Sequence, residues 1–342
     1  MFVQRTLRQA IKAQSAFSSP SLNAARILSS RFYSTQLAPL DASKLKVNAS
    51  KNKKPLQDNS QLVFGKTFTD NMLVVEWDAT KGWGTPEIKE YNNLSLDPSA
   101  VVFHYSFECF EGMKAYKDKD GKTRLFRPDM NMKRFNRSAQ RIALPGFESE
   151  ELTKLIGEFL KVDDRWIPKG RGYSLYLRPT MIGTQASLGV GASNKAMIFL
   201  IASPVGPYFP SGFAAVNLLA TSEKVRAWPG GTGDAKIGGN YAPCVRPQLE
   251  ANKEGFQQNL WLFGPEHQVT EVGTMNCFVF WKNENGGKFL FKIHYNGHDI
   301  HVPLDPSDKT SQAGKLTKRI NDTIMDIQYG DIEGPKGWSV VV

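Results

Sequence analysis

Residues 229–241 read Pro-Gly-Gly-Thr-Gly-Asp-Ala-Lys-Ile-Gly-Gly-Asn-Tyr, and residues 270–276, about three dozen positions on, read Thr-Glu-Val-Gly-Thr-Met-Asn. The glycines on both sides of Lys236 remove Cβ atoms where a flat ligand would lie against the backbone, and they permit positive φ in the turns. The amine of Lys236 is left with room around it. A lysine among glycines is by itself a weak signal, because most lysines are solvated surface residues, and Glu271 alone is no stronger. A nucleotide phosphate loop over Gly230 to Gly233 is a poor reading, since no Gly-Lys-Ser/Thr follows.

The chain has 342 residues, 41% of them hydrophobic, enough for two domains with a core each. No run of about 18 apolar residues occurs, so no membrane span or stable membrane association is expected. Of the net charge of +10, nearly all lies in residues 1–57, which hold ten basic residues and one acid, Asp41. The rest of the chain is close to neutral, which argues against a nucleic-acid face. The first 40 residues are basic, rich in Ser and Ala and free of acids, the composition of a mitochondrial transit peptide. Residues 4–17 could form its basic amphipathic helix. Cleavage is expected near Ser34, giving a transit peptide over 1–33, a flexible lead-in over 34–60 and a location in the mitochondrial matrix. Cys109, Cys244 and Cys277 are widely spaced without a CxxC pattern, so they are read as reduced thiols rather than disulfides or metal ligands.

Strands are expected at 73–77, 123–126, 173–181 and 196–202, from β-branched and aromatic runs bounded by turn residues. A helix is expected over 131–142 and another over 151–160, where Leu152, Leu155, Ile156, Phe159 and Leu160 recur at helical spacing and Ser149 is the candidate N-cap. Mixed strands and helices indicate an α+β domain over 61–203. The Pro- and Gly-rich stretch 204–212 reads as a linker to a second domain over 213–342. Near the end, alternation up to Asn296-Gly297 marks a hairpin, and Leu316, Ile320, Ile324 and Ile327 mark a final helix. The two-residue turn sets His298 opposite His294 and His301, so no metal site is assigned there.

The two opening segments, with His104-Tyr105-Ser106 and Phe110-Glu111-Gly112-Met113-Lys114-Ala115-Tyr116, expected as an active-site strand and turn, resemble the active-site motifs of the branched-chain amino acid aminotransferases. These are pyridoxal-phosphate enzymes of fold type IV, related in fold to D-amino acid aminotransferase. The resemblance covers about 64–281 and resumes near Ile293. It implies a two-domain α+β fold, a homodimer, pyridoxal 5'-phosphate as cofactor, and amino-group exchange between Leu, Ile or Val and 2-oxoglutarate. A lysine suits that chemistry because its amine can form a Schiff base with the cofactor aldehyde and then move a proton. A carboxylate suits it because the pyridine ring draws electrons only while its nitrogen stays protonated.

By resemblance Lys236 is the catalytic lysine, Glu271 the partner of the ring nitrogen and Tyr241 the donor to the phenolate oxygen. Arg134 and Arg226 match phosphate-contacting arginines, and a dianionic phosphate requires such fixed cations. Phe64, Tyr105, Phe110 and Tyr176 match an aromatic wall for the substrate, Thr274 a residue near its carboxylate, and Leu188 and Val190 a loop given by the partner subunit. Such an apolar pocket separates Val, Leu and Ile weakly, since one methylene is worth only ~1–3 kcal/mol.

After Glu284-Asn285-Gly286-Gly287 the sequence jumps to 288–294, which resembles a strand much nearer the family's C-terminus. The resemblance therefore implies that an internal block is missing and the second domain shortened. In the family that block carries a Gly-Val/Ile-Thr turn and a Gly-Thr-Ala loop, donors to the cofactor phosphate and substrate carboxylate. Loss of three charge-assisted hydrogen bonds at roughly 1.5–3 kcal/mol each would weaken cofactor binding more than about a thousandfold. The competing expectation is therefore a truncated, non-catalytic paralogue or splice product.

Overall fold

The structure, a computed structural model, describes residues 37–207, 216–273, 292–295, 298–300 and 315–342, with 292–295, 298–300 and 315–316 described by backbone alone. The expected transit peptide, most of the linker, Thr274, Cys277 and the side chains of His294, His298 and His301 lie outside the described residues.

In chain order the elements are β1 (Lys46–Asn48), β2 (Asn71–Asp78), β3 (Gly82–Trp83), β4 (Glu87–Glu90), α1 (Val101–Tyr105), β5 (Glu108–Phe110), β6 (Met113–Lys117) and β7 (Thr123–Phe126). Then come α2 (Pro128–Arg141), α3 (Ser149–Val162), β8 (Ser174–Gly183), β9 (Lys195–Val205), β10 (Asn217–Thr221) and α4 (Ala242–Lys253). The chain ends with β11 (Gln258–Phe263), β12 (Gln268–Val272), β13 (Lys292–Tyr295), β14 (His298–Ile300), α5 (Lys315–Tyr329) and β15 (Ser339–Val341). Among the described residues the strands form two sheets. The ten-stranded one runs β1-β4-β2-β9-β8-β6-β7-β15, with β3 on β2 and β5 on β8, and the five-stranded one runs β12-β11-β10-β13-β14.

Alternation in the long β8–β9 hairpin and β2 divides the first sheet into two faces. Leu73, Val75, Leu175, Leu177, Ile198 and Leu200 point to one side, where α2 and α3 cover them. Met72, Val74, Ile182 and Met197 form a smaller cluster apart from that core. The expected stripe of α3, from Leu152 to Leu160, is buried in the main core. Its cap differs from expectation: Glu148 holds the N-cap position, while the Ser149 hydroxyl meets the Asn136 amide at 3.4 Å instead of the helix N–H groups.

Three expectations are corrected. His104-Tyr105, expected in a strand and turn, ends the helix α1, because Ser106 adopts the left-handed conformation at φ 53° and reverses the chain into β5. The second half of the chain returns to the first sheet, where β15 pairs antiparallel with β7. The described part of the lead-in is built into the fold. Leu40 is 2% exposed in the main core, and β1 lies parallel to β4. The Ser50 and Lys54 amides donate to Asn71 Oδ1 at 2.7 Å and Asp70 Oδ1 at 2.9 Å. Buried Asp70 and Asn71 supply acceptors that this polar, lysine-rich stretch fills, an attachment that hydrophobicity does not register.

Gly82 shows how close that attachment is. It has φ 86°, and a Cβ there would lie 2.3 Å from the Ala38 carbonyl oxygen. Gly82→Ala is expected to cost more than about 1 kcal/mol in urea unfolding and to speed hydrogen exchange of the Ala38 amide, which donates to Lys81 at 3.0 Å. Unchanged exchange at Ala38 would refute the anchoring role.

Candidate active site

Strands β10 and β11 are parallel neighbours, so the chain must cross over between them, and it does so through 222–257 with α4 inside. Lys236 lies in that crossover, before a short 3-10 turn, Gly238–Asn240, that leads into α4. Its backbone is fixed on both sides. The Phe110 amide donates to the Lys236 carbonyl at 3.0 Å, and Cys109 and Ile237 form an antiparallel bridge. The Lys236 amide donates to the buried Ser138 hydroxyl of α2 at 2.8 Å.

With its backbone clamped, the half-buried Lys236 side chain reaches a small set of groups. Nζ donates to the Tyr241 hydroxyl at 3.0 Å and lies 4.7 Å from the Phe110 ring centre. The Phe110 and Tyr241 rings are 5.0 Å apart. On Tyr241 lies the Arg226 guanidinium, at 5.2 Å from the ring centre. Arg226 is 8% exposed, and its Nη1 is buried without a hydrogen-bond partner among the described residues. Burying such a donor unpaired is costly, which marks the place for an acceptor.

One glycine of the opening motif has a different cause from the expected one. A Cβ on Gly238 would lie 2.1 Å from Glu108 Oε2. That position is small because a carboxylate of the same chain approaches it, rather than to admit a ligand. Burial pushes the Glu108 carboxyl above its ordinary range, and the charge of Arg178 opposes that push.

A second group of side chains comes from β8. Tyr176 and Arg178 are two apart on the strand and so share a face, and Arg178 Nη2 donates to the Tyr176 hydroxyl at 2.9 Å. The Arg178 guanidinium is 4.6 Å from the Phe110 ring centre, and its Nε is buried without a hydrogen-bond partner among the described residues. Phe64 meets Tyr176 edge-on at 4.9 Å.

The remaining expected residues are arranged less directly. Arg134 on α2 makes a two-pronged pair with Glu111, Nε to Oε1 at 2.5 Å and Nη2 to Oε2 at 2.8 Å. The Glu111 carboxylate holds that guanidinium above its ordinary value, with smaller contributions from Tyr241 and Tyr176. Arg134 also borders an open depression with Arg127, Lys133 and Arg137. Glu271, half-buried on β12 opposite Trp261, makes no hydrogen bond to Lys236 among the described residues. It lies within electrostatic reach of Cys244 of α4. Burial pushes that thiol up, Arg226 draws it down and Glu271 pushes it up again. Tyr105 donates to the Leu188 carbonyl, and Leu188 and Val190 are 66% and 80% exposed.

The structure thus brings together Lys236, Tyr241, Phe110 and Arg226, with Tyr176 and Phe64 alongside. Sequence reading missed Arg178, Glu108, Glu111 and Ser138. A charge inside the apolar run 173–181 was a signal for Arg178; the Ser138 contact depends on a helix meeting a loop 98 residues away. An amine held by a hydroxyl, aromatic walls and guanidiniums with unused donors suit a flat anionic ligand and proton transfer.

Residues 108–288 match the family model for amino-transferase class IV. The chain is 62% identical over 252 residues to the cytosolic branched-chain-amino-acid aminotransferase of Saccharomyces cerevisiae, spanning 74% of this chain and 67% of that protein. To the mitochondrial enzyme of the same yeast it is 47% identical over 363 positions, spanning 86% of this chain and 92% of that protein. That alignment has more positions than this chain has residues, so several dozen residues of the relative face a gap. The branched-chain aminotransferase of Thermoproteus uzoniensis, solved with norvaline, superposes with a TM-score of 0.59 at 19% identity, over 79% of this chain and 99% of that chain, a likeness of fold.

Ser138→Ala leaves the Lys236 amide without its acceptor. It is expected to lower stability by about 1–3 kcal/mol in urea unfolding, and a loss below about 0.5 kcal/mol would mean that the clamp on Lys236 does not need the hydroxyl.

Proposed function

This chain belongs to the class IV aminotransferases, among the branched-chain-amino-acid aminotransferases, and on that premise we propose that it exchanges an amino group between leucine, isoleucine or valine and 2-oxoglutarate with pyridoxal 5'-phosphate. The observation that carries the reading is the Lys236 amine held at 3.0 Å by the Tyr241 hydroxyl beside the buried, unpaired Nη1 of Arg226. The residues fit the cofactor: an orphaned guanidinium donor awaits an anion, and the amine has aromatic rings on its flank.

In this reading Lys236 would hold the cofactor's aldehyde carbon, Tyr241 its phenolic oxygen, Arg226 and Arg134 its phosphate, and Glu271 its ring nitrogen. When bound, the cofactor supplies an electron sink for the substrate Cα. Lys236 Nζ moves the proton at that carbon, and the Tyr241 hydroxyl orients the amine. Phe64, Tyr105, Phe110 and Tyr176 form an apolar wall for the branched side chain, with Thr274 at the substrate carboxylate. The distal carboxylate of 2-oxoglutarate needs a cation at the same wall, and Arg178 offers its unpaired Nε there.

The proposal extends to a homodimer in which Leu188 and Val190, exposed in one protomer, complete the partner's pocket. It places the chain in the mitochondrial matrix on the strength of residues 1–33, while relatives act in both compartments. It also places a linker at 204–212 between a first domain over 61–203 and a second from 213 onward, the second lacking an internal block after about Gly287 and returning β15 to the first sheet.

A second reading, a non-catalytic truncated paralogue or splice product, is favoured by the alignment gap and by apolar Val245 and Leu249, which are exposed one turn apart on α4. Purified chain with pyridoxal 5'-phosphate separates the two. The aminotransferase reading expects a visible absorbance band that Lys236→Ala abolishes and leucine bleaches, with glutamate formed from 2-oxoglutarate. A band that leucine leaves unchanged, without turnover, would favour the second reading. Tyr241→Phe should keep the band and lower turnover by about one to two orders of magnitude.

A further inference from the structure

We infer that Glu111 is a positioning residue: by gripping one edge of the Arg134 guanidinium it aims the other edge at the phosphate of the cofactor and sets how tightly that end is held. This rests on the cofactor reading above. Glu111 is fully buried, and its own amide donates to the Pro179 carbonyl of β8 at 2.8 Å, so its carboxylate is fixed to the rigid first sheet. Both oxygens are occupied. Oε1 accepts from Arg134 Nε at 2.5 Å, and Oε2 accepts from Arg134 Nη2 at 2.8 Å, Asn131 Nδ2 at 2.9 Å and the Gly112 amide at 3.2 Å.

The fork geometry engages the Nε–Nη2 edge and leaves Nη1 on the opposite side. Arg134 and Ser138 are four apart on α2 and share its face, and Ser138 is the residue that accepts from the Lys236 amide. The guanidinium therefore issues from the same face that clamps the lysine. The Arg134 side chain is 44% exposed, and without Glu111 it would be free to sample many rotamers. Asn131, one turn earlier on α2, steadies the carboxylate from the other side. Their common effect is to fix one cation.

The sign of the effect is decisive. A carboxylate near a phosphate repels it, so if Glu111 acted only through its charge, removing it would tighten phosphate binding. If it acts by positioning, removing it weakens that binding.

The test titrates the full chain, freed of cofactor, with pyridoxal 5'-phosphate and with pyridoxal, which lacks the phosphate, following the visible band. Glu111→Gln should weaken binding of the phosphorylated ligand about ten- to a hundredfold and of pyridoxal less than about twofold. Asn131→Ala should act in the same direction by a smaller factor. Equal weakening of both ligands, no change in either, or tighter binding of the phosphorylated one would each overturn the inference. If Glu111→Gln fails to fold by circular dichroism, Asn131→Ala decides, and an unchanged ratio between the two ligands counts against the role. A wild-type chain without a band for either ligand would instead sink the cofactor reading itself, and the Glu111 role with it.

Discussion

The structure depends on the pairing of Lys236 and Ile237 with Phe110 and Cys109. That short antiparallel contact joins the crossover of the five-stranded sheet to an edge of the ten-stranded one. Both backbone polar groups of Lys236 are used, its carbonyl by Phe110 and its amide by Ser138, so its Cα has little freedom. The amine then needs only its own torsions to reach Tyr241. The same pairing brings Phe110 under the amine, because the residue that donates to the lysine carbonyl also carries the ring. One backbone contact thus sets the position of two site residues, Lys236 and Phe110.

Electrostatics decide what this site can receive. Among the described residues, Arg226 and Arg178 each bury a nitrogen without a hydrogen-bond partner. An unpaired buried donor on a charged group costs more than an ordinary hydrogen bond returns, so those donors favour an anionic visitor over an empty cleft. The acidic groups nearby are divided differently. Glu111 is saturated by Arg134, Asn131 and Gly112, whereas Glu108 is desolvated and opposed only at a distance by Arg178. Cys244, on the first turn of α4, registers Arg226 and Glu271 with opposite sign. The cation and the carboxylate assigned to the two ends of the cofactor therefore lie within electrostatic reach of one thiol.

The two sheets are unequally covered. In the first, α2 and α3 close over a continuous core from Leu40 to Ile237, and the residues of the α3 stripe are fully buried. In the second, the buried cluster among the described residues is small, centred on Leu218, Leu260, Leu262 and Val272. Val245, Leu249 and Trp228 stay open to solvent near the site. Adjacent exposed apolar side chains on one helix face are the mark of a surface that another element normally covers.

The α3 stripe and the final helix were legible from spacing, and strands β8 and β9 from their β-branched and aromatic runs, because period and residue type are local consequences of which face meets the core. The lysine and carboxylate were legible only as motifs, through resemblance, since an amine among glycines has no periodicity. Hidden from the sequence were contacts made across long separations. The lead-in folds down because Asp70 and Asn71 turn buried acceptors toward it, and Gly238 is small because Glu108 arrives from 130 residues away. Glu111 finds Arg134 only after a strand turn and a helix have been packed together. Residue types and their periods determined the elements and the chemistry on offer; which polar groups face one another was decided by tertiary packing, because hydrogen bonds act over about 3 Å and the chain carries no local record of that distance.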